Sequence, residues 1–143
     1  MGIKRVVVTN RGDVKDVMTA LKKEQGELVC WITIANPDAP ALIKRSCKRV
    51  LSLKFWDILS QPVTKRQVRK IKGFISNHIH NIQGDYVLVI NCHAGISRSA
   101  AIGKFCEMVH NLPVQFGPEC YPNPGVLKAL AGYTNSASAQ YYR

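Results

Sequence analysis

The segment over residues 87–101, VLVINCHAGISRSAA, most constrains what this 143-residue chain can fold into. Its apolar first half predicts a buried strand, and its last residues predict the start of a helix. Cys92 and Arg98 lie between the two elements, separated by five residues. Such a short passage from strand to helix brings loop amides and a helix N-terminus to one point, and unpaired N–H groups there favour negative charge. The segment therefore predicts an anion-binding loop at the end of a strand.

Cys92 is the residue in this loop that can perform chemistry. A thiol is a strong nucleophile only as the thiolate, and the helix N-terminus together with the Arg98 cation should lower its pKa. Gly95 allows the backbone to curl so that successive amides point inward. The planar guanidinium of Arg98 can bind two oxygens of a tetrahedral anion. A phosphate monoester suits this arrangement, whereas a buried structural cysteine beside a surface arginine would leave Gly95 and Ser99 unexplained.

Length and composition predict one domain over residues 1–143, with a flexible polar tail over 134–143. The longest apolar run, residues 87–90, is too short to span a membrane, and we expect a cytoplasmic monomer. The cysteines form no CxxC pair, so we expect neither disulfides nor a metal site, and no cofactor. These five cysteines are Cys30, Cys47, Cys92, Cys106 and Cys120.

The hydrophobic pattern predicts strands alternating with helices. Strands are expected over residues 3–9, 28–34, 50–55 and 86–91, and helices over 13–24, 41–47, 63–81, 98–110 and from 122–124 to 132. This order predicts an α/β fold of three layers, with a central, mostly parallel sheet of four to five strands and helices on both faces. Ligands of such sheets bind at the carboxyl ends of the strands, where Cys92 lies.

Three segments together resemble a known family. Residues 92–99, CHAGISRS, closely resemble the phosphate-binding loop of the cysteine-dependent protein tyrosine phosphatases, in particular the dual-specificity branch. Residues 121–130, YPNPGVLKAL, are similar to the closing helix of that branch. The strand over 50–55 that leads into Asp57 resembles the general-acid loop. The resemblance covers residues 50–133 through specific motifs and the N-terminal third only by pattern.

The resemblance implies a phosphatase fold and a two-step reaction. Cys92 would attack phosphorus to form a phosphocysteine, which water then hydrolyses, and Ser99 would hydrogen-bond the departing thiolate. Arg98 would bind the phosphate together with the backbone of the loop, and Asn123 would support the loop. The loop residues are His93, Ala94, Gly95, Ile96 and Ser97.

The general acid has few candidates, because only nine residues of the chain are acidic. Asp57 directly follows a predicted strand and would lie at the same sheet edge as Cys92. Asp38, in a loop rich in proline, is the alternative, and a reaction without a carboxylate acid is a third possibility. Asp85 is expected to belong to a turn and Asp13 to cap a helix.

The sequence departs from the family at the position before the nucleophile, where Asn91 replaces the usual histidine. That histidine orients the loop and lowers the pKa of the cysteine, so Asn91 is the supporting residue whose effect is open. The segment 55–62 is only loosely similar to the acid loop of the family.

The leading hypothesis is a phosphatase for protein phosphotyrosine, with phosphoserine and phosphothreonine as further candidate substrates. The net charge of +11 favours two alternatives, a phosphatase for RNA 5′-phosphates or one for phosphoinositides, although a solvated helix face explains basic clusters equally well. A weakly active phosphate-binding module and a sulfurtransferase are further alternatives. The clusters are Lys44, Arg45, Lys48 and Arg49, and Lys65, Arg66, Arg69, Lys70 and Lys72.

Overall fold

The computed structural model describes residues 2–42 and 47–132. Its strands are β1 (Gly2–Asn10), β2 (Leu28–Ala35), β3 (Val50–Lys54), β4 (Asp85–Cys92) and β5 (Val114–Gln115). Its helices are α1 (Val14–Glu24), α2 (Lys65–His80), α3 (Arg98–His110) and α4 (Pro124–Ala131).

The strands form one parallel sheet in the order β3-β2-β4-β1-β5. Strand β4 lies at the centre, where its neighbours cover both edges and helices cover both faces. This position explains why its sequence is an almost continuous apolar run instead of an alternating one. Strand β5 is the one strand that the sequence did not predict, because two residues are too few to show a periodicity.

Helices cover both faces of the sheet, as the sequence predicts. Helix α1 packs on one face through Val14, Met18 and Leu21. The apolar stripes of α2, α3 and α4 pack on the other face, in the larger of the two clusters of buried residues. The predicted α/β architecture of three layers is therefore confirmed.

The predicted element boundaries need three corrections. Helix α2 begins at Lys65 and not at residue 63, because Thr64 and Gln67 form a capping box at its start. Asp13 occupies the cap position of α1 but its side chain does not cap the helix, since it binds Asn10 instead. In the predicted helix over 41–47, residues 41, 42 and 47 are not helical, while residues 43–46 and the predicted tail over 134–143 lie outside the described residues.

The parallel topology brings four strand ends to the same edge. Strand β4 ends at Cys92, and the segments that follow β1, β2 and β3 start beside it with Arg11, Asn36 and Phe55. This shared edge is where side chains far apart in the sequence can meet. Within residues 2–42 and 47–132, no helix is long and apolar enough to cross a membrane.

Candidate active site

The loop between β4 and α3 turns back on itself at Gly95. This residue has a φ of +73°, a conformation that side chains rarely allow. A Cβ atom at this position would lie 2.7 Å from the carbonyl carbon and oxygen of Thr9. The close approach of β1 and the positive φ together restrict this position to glycine, as the sequence pattern indicated.

Four carbonyl groups of the loop are bound by N–H groups that do not belong to it. The carbonyl oxygen of Cys92 accepts from the Asn91 side-chain Nδ2 at 3.3 Å. Three further carbonyl oxygens accept from backbone N–H groups of other segments. These pairs are His93 with Arg11 at 3.1 Å, Ile96 with Tyr121 at 2.9 Å, and Ser97 with Asn123 at 3.0 Å.

These contacts determine the direction of the loop amides. A trans peptide carries its C=O and N–H on opposite sides, so each carbonyl held outward turns the following N–H inward. The backbone N–H groups of residues 93, 94, 97 and 98 therefore face the interior of the loop. Convergent amides at the start of a helix form a site for an anion with several oxygens.

The thiol of Cys92 lies beneath this loop and is 2% exposed. Burial by itself would raise the pKa of the thiol, but hydrogen bonds from the Ser99 side chain and from the backbone of Ser99 and Gly95, with the nearby Arg98 cation, outweigh it and lower the pKa. The Sγ atom lies 3.1 Å from the Ser99 Oγ. A thiolate can only accept a hydrogen bond, so the Ser99 hydroxyl donates to it.

Arg98, the first residue of α3, is held by its Nη1 atom. This atom donates to the Asn36 Oδ1 at 2.8 Å and to the Phe55 carbonyl oxygen at 2.7 Å. The Nε atom is buried and has no hydrogen-bond partner among the residues that the structure describes. A buried N–H without a partner is costly, which indicates that a ligand oxygen completes this group. The guanidinium is thus fixed on one side and available on the other.

Asp57 meets the loop through two side chains. Its Oδ1 accepts hydrogen bonds from the Ser97 Oγ at 2.8 Å and from the Asn123 Nδ2 at 2.7 Å. Asn123 is buried and caps α4 through its Oδ1, which accepts from the Val126 N–H at 3.1 Å. The helix cap thereby positions the carboxylate. Asp57 is exposed, and in the described part of the chain no hydrogen bond joins Asp38 to the loop.

The structure brings together the residues that the sequence singled out, and it adds three others. Asn36 and Phe55 hold Arg98, and Trp31 contacts Asn91. The sequence pattern singled out none of these three as a site residue. Asn36 and Phe55 directly follow strands that end at the edge where Cys92 lies, whereas Trp31 stands in the middle of β2.

The lowered pKa of Cys92 predicts selective alkylation by iodoacetate. Burial shifts the pKa of the other described cysteines in the opposite direction. It raises the pKa of Cys30, Cys47 and Cys120, and it raises that of Cys106 to about 12. At about pH 6.5, some two units below the pKa of an ordinary thiol, we expect one modification, at Cys92. Peptide mapping by mass spectrometry measures it.

Inorganic phosphate provides the control for this experiment, because it should occupy the loop and protect Cys92. Modification of Cys120 first, or alkylation of Cys92 that phosphate does not slow, would contradict the assignment of the loop as an anion site.

Comparison with known proteins identifies the fold. No protein-family model and no curated protein matches the chain. Solved structures do match. DUSP15 covers 100% of this chain and 91% of its own length, at 16% identity and a TM-score of 0.56. The Cydia pomonella PTP-2 phosphatase covers 97% and 84% at 20% identity, with a TM-score of 0.57. PTPMT1 in complex with PI(5)P covers 96% and 92% at 14% identity, with a TM-score of 0.54.

The chain therefore has the fold of the cysteine-dependent protein tyrosine phosphatases, of which the dual-specificity enzymes are a branch. The resemblance drawn from residues 92–99 is confirmed at the level of the fold.

Proposed function

We propose that this protein is a phosphatase that hydrolyses phosphate monoesters through a phosphocysteine at Cys92. The observation that carries the proposal is the buried Nε of Arg98, which has no partner within residues 2–42 and 47–132, beside a thiol with a lowered pKa. A buried N–H without an acceptor costs free energy, and a bound anion would supply the acceptor. The thiolate below it is the nucleophile that such an anion would meet.

The proposed reaction has two steps that the described side chains can perform. In the first step the Cys92 thiolate attacks phosphorus, the P–S bond forms, and the P–O ester bond breaks while Asp57 gives its proton to the leaving oxygen. In the second step water attacks phosphorus, Asp57 takes a proton from that water, and the P–S bond breaks. Arg98 and the loop amides stabilise the equatorial oxygens in both steps, and Ser99 stabilises the released thiolate.

Protein phosphotyrosine is the substrate class that the surroundings of the site support best. Two aromatic side chains lie next to residues of the site and are exposed, Trp56 to 45% and Tyr121 to 71%. Trp56 precedes Asp57 in the chain, and the Tyr121 N–H binds the loop at Ile96. Exposed aromatic rings beside a phosphate site favour a substrate with an aromatic leaving group and apolar neighbours.

A polyanionic substrate is the second candidate, supported by the outer face of α2. This helix has no acidic residue, and its five cations are exposed. Two of them stand in the first turn, where the helix dipole disfavours positive charge, and two pairs are spaced i, i+4, where like charges repel. An anionic partner such as RNA or a phosphoinositide surface would offset these costs. The cations are Lys65, Arg66, Arg69, Lys70 and Lys72.

The experiment that tests the proposal compares four substrates at low and moderate salt. We expect the wild-type protein to release phosphate from an aryl phosphate and faster from a phosphotyrosine peptide, with little dependence on salt. A preference for RNA 5′-phosphate or for phosphoinositide that collapses with salt would favour the polyanion instead. Phosphate binding without turnover on any ester would contradict the enzyme and indicate a binding module.

Replacing Asp57 by asparagine tests the general acid. Asparagine keeps the two hydrogen bonds at Oδ1 but has no proton to give, so we expect kcat for an alkyl or peptide phosphate to fall by about 10²-fold. Steady-state rates with such a substrate measure the loss.

Asp38→Asn is the matched control for this variant, because Asp38 is the alternative acid. It should retain the wild-type rate. If Asp38→Asn lowers the rate and Asp57→Asn does not, the acid is Asp38. If neither changes, the reaction uses no carboxylate acid.

A further inference from the structure

Asn91, the residue that stands where the resembled family has histidine, is buried, and each of its two side-chain polar atoms has a hydrogen-bond partner. Its Oδ1 accepts a hydrogen bond from the Trp31 Nε1 at 2.8 Å, and its Nδ2 donates to the Cys92 carbonyl oxygen at 3.3 Å. Both side chains are 0% exposed. They lie on the same face of the neighbouring strands β2 and β4, offset by two residues, since Trp31 pairs with Val89.

Trp31 determines which way the Asn91 amide faces. An indole N–H can only donate, so it must meet the amide oxygen and never the amide nitrogen. The amide nitrogen is therefore turned to the Cys92 carbonyl. Without the indole the amide could rotate, and its oxygen would then face the Cys92 carbonyl oxygen, which repels it.

The orientation of the Cys92 carbonyl determines the direction of the first amide N–H of the phosphate loop. Because the peptide is planar and trans, a carbonyl held toward Asn91 points the His93 N–H to the opposite side, into the loop. The same peptide carries the Cα of Cys92, so its rotation also moves the Sγ relative to the Ser99 Oγ. The contact thus affects both the anion site and the nucleophile.

We infer that Trp31 is a positioning residue of this site, which acts through Asn91 to aim the Cys92–His93 peptide and so replaces what a histidine before the nucleophile would do. Trp31 touches neither phosphate nor the reacting atoms. The inference rests on the proposed function, since it names the group that orients the nucleophile of that reaction.

The competing explanation is that Trp31 only fills the core. It belongs to the cluster under α1 together with Val29, Val87 and Val89, so its replacement will also lower stability. A test must therefore separate loss of the indole N–H from loss of packing.

Trp31→Phe removes the N–H and keeps an aromatic ring in the same place. We expect kcat/KM for an aryl phosphate to fall about tenfold, which is what one buried hydrogen bond contributes. The pH at which iodoacetate alkylates Cys92 at half its maximal rate should move upward, because the thiolate loses part of its stabilisation. Val87→Ala is the control, since it removes volume from the same cluster far from Asn91; it should lower the melting temperature and leave the alkylation profile unchanged.

The double variant Trp31→Phe with Asn91→Leu distinguishes the two explanations most sharply. Each single variant leaves one polar group of the pair buried without its partner. The double variant replaces both by apolar side chains of similar shape, so the melting temperature should be higher than in Trp31→Phe or Asn91→Leu alone. Activity and the alkylation profile should not recover, because the Cys92 carbonyl still lacks its donor. If activity and profile recover together with the melting temperature, or if Trp31→Phe leaves both at wild-type values, the inference is wrong.

Alkylation needs no turnover, so this result is separate from the proposed function. A wild-type protein that hydrolyses no phosphoester, with a profile that still shifts in Trp31→Phe, would refute the reaction and support the positioning of the loop.

Discussion

Replacing Cys92 by serine is expected to abolish phosphate release from every ester that the wild-type protein hydrolyses. A serine hydroxyl stays protonated at neutral pH and is a far weaker nucleophile than the thiolate that this loop stabilises. The loss should be about 10⁴-fold or more, as for removal of a nucleophile that acts with its neighbours. Steady-state rates with an aryl phosphate measure it.

The variant should still bind inorganic phosphate, because Arg98 and the outward-held carbonyls that orient the amides are unchanged. Cys120→Ser is the matched control. That thiol is only partly buried and has a raised pKa, so its replacement should leave the rate at the wild-type value. Turnover by Cys92→Ser near the wild-type rate would contradict the proposed nucleophile.

The second large effect is expected from replacing Arg98 by lysine. The guanidinium binds Asn36 and Phe55 through Nη1 and leaves its Nε for the ligand, whereas an ammonium cannot do both in one plane. We expect kcat/KM to fall by about 10³-fold, within the range for a group that stabilises charge in the transition state. The affinity for phosphate, measured by its inhibition of turnover, should weaken as well.

Arg49→Lys is the control for this substitution. Arg49 lies before β3, away from the edge that carries Cys92, and donates to the Tyr86 hydroxyl at 3.1 Å. The Arg49→Lys substitution makes the same chemical change outside the site and should leave kcat/KM unaltered. Retention of most activity in Arg98→Lys would show that one positive charge suffices and that the fixed guanidinium plane is not used.

The sequence predicted the parts of the fold and of the site that follow from local pattern. The strand that ends at Cys92, the glycine that turns the loop and the helix that starts at Arg98 are neighbours in the chain, and their residue types show their roles. Asp57 was nominated because a residue just past a parallel strand lies at the shared edge. Its contact with Ser97 agrees with that placement, while its role as the acid stays a prediction.

What the sequence did not show depends on contacts between distant residues. Asn36 reaches Arg98 across 62 positions, and Trp31 reaches Asn91 across 60. Neither residue differs locally from an ordinary loop asparagine or core tryptophan, so periodicity and spacing carry no signal for them. Asp13 illustrates the reverse case, since its position is that of a helix cap but Asn10 engages its side chain.

The central claim is a covalent phosphocysteine at Cys92, and trapping that intermediate tests it most directly. Ser99→Ala removes the hydroxyl 3.1 Å from the Sγ that stabilises the departing thiolate, so it should slow the second step and let the intermediate accumulate. Acid quenching during turnover of an aryl phosphate, followed by peptide mapping, should locate one phosphoryl group on Cys92, with more of it in Ser99→Ala than in the wild type. Phosphate release that continues with the phosphoryl group on another side chain, or with none on Cys92 in either protein, would contradict this account.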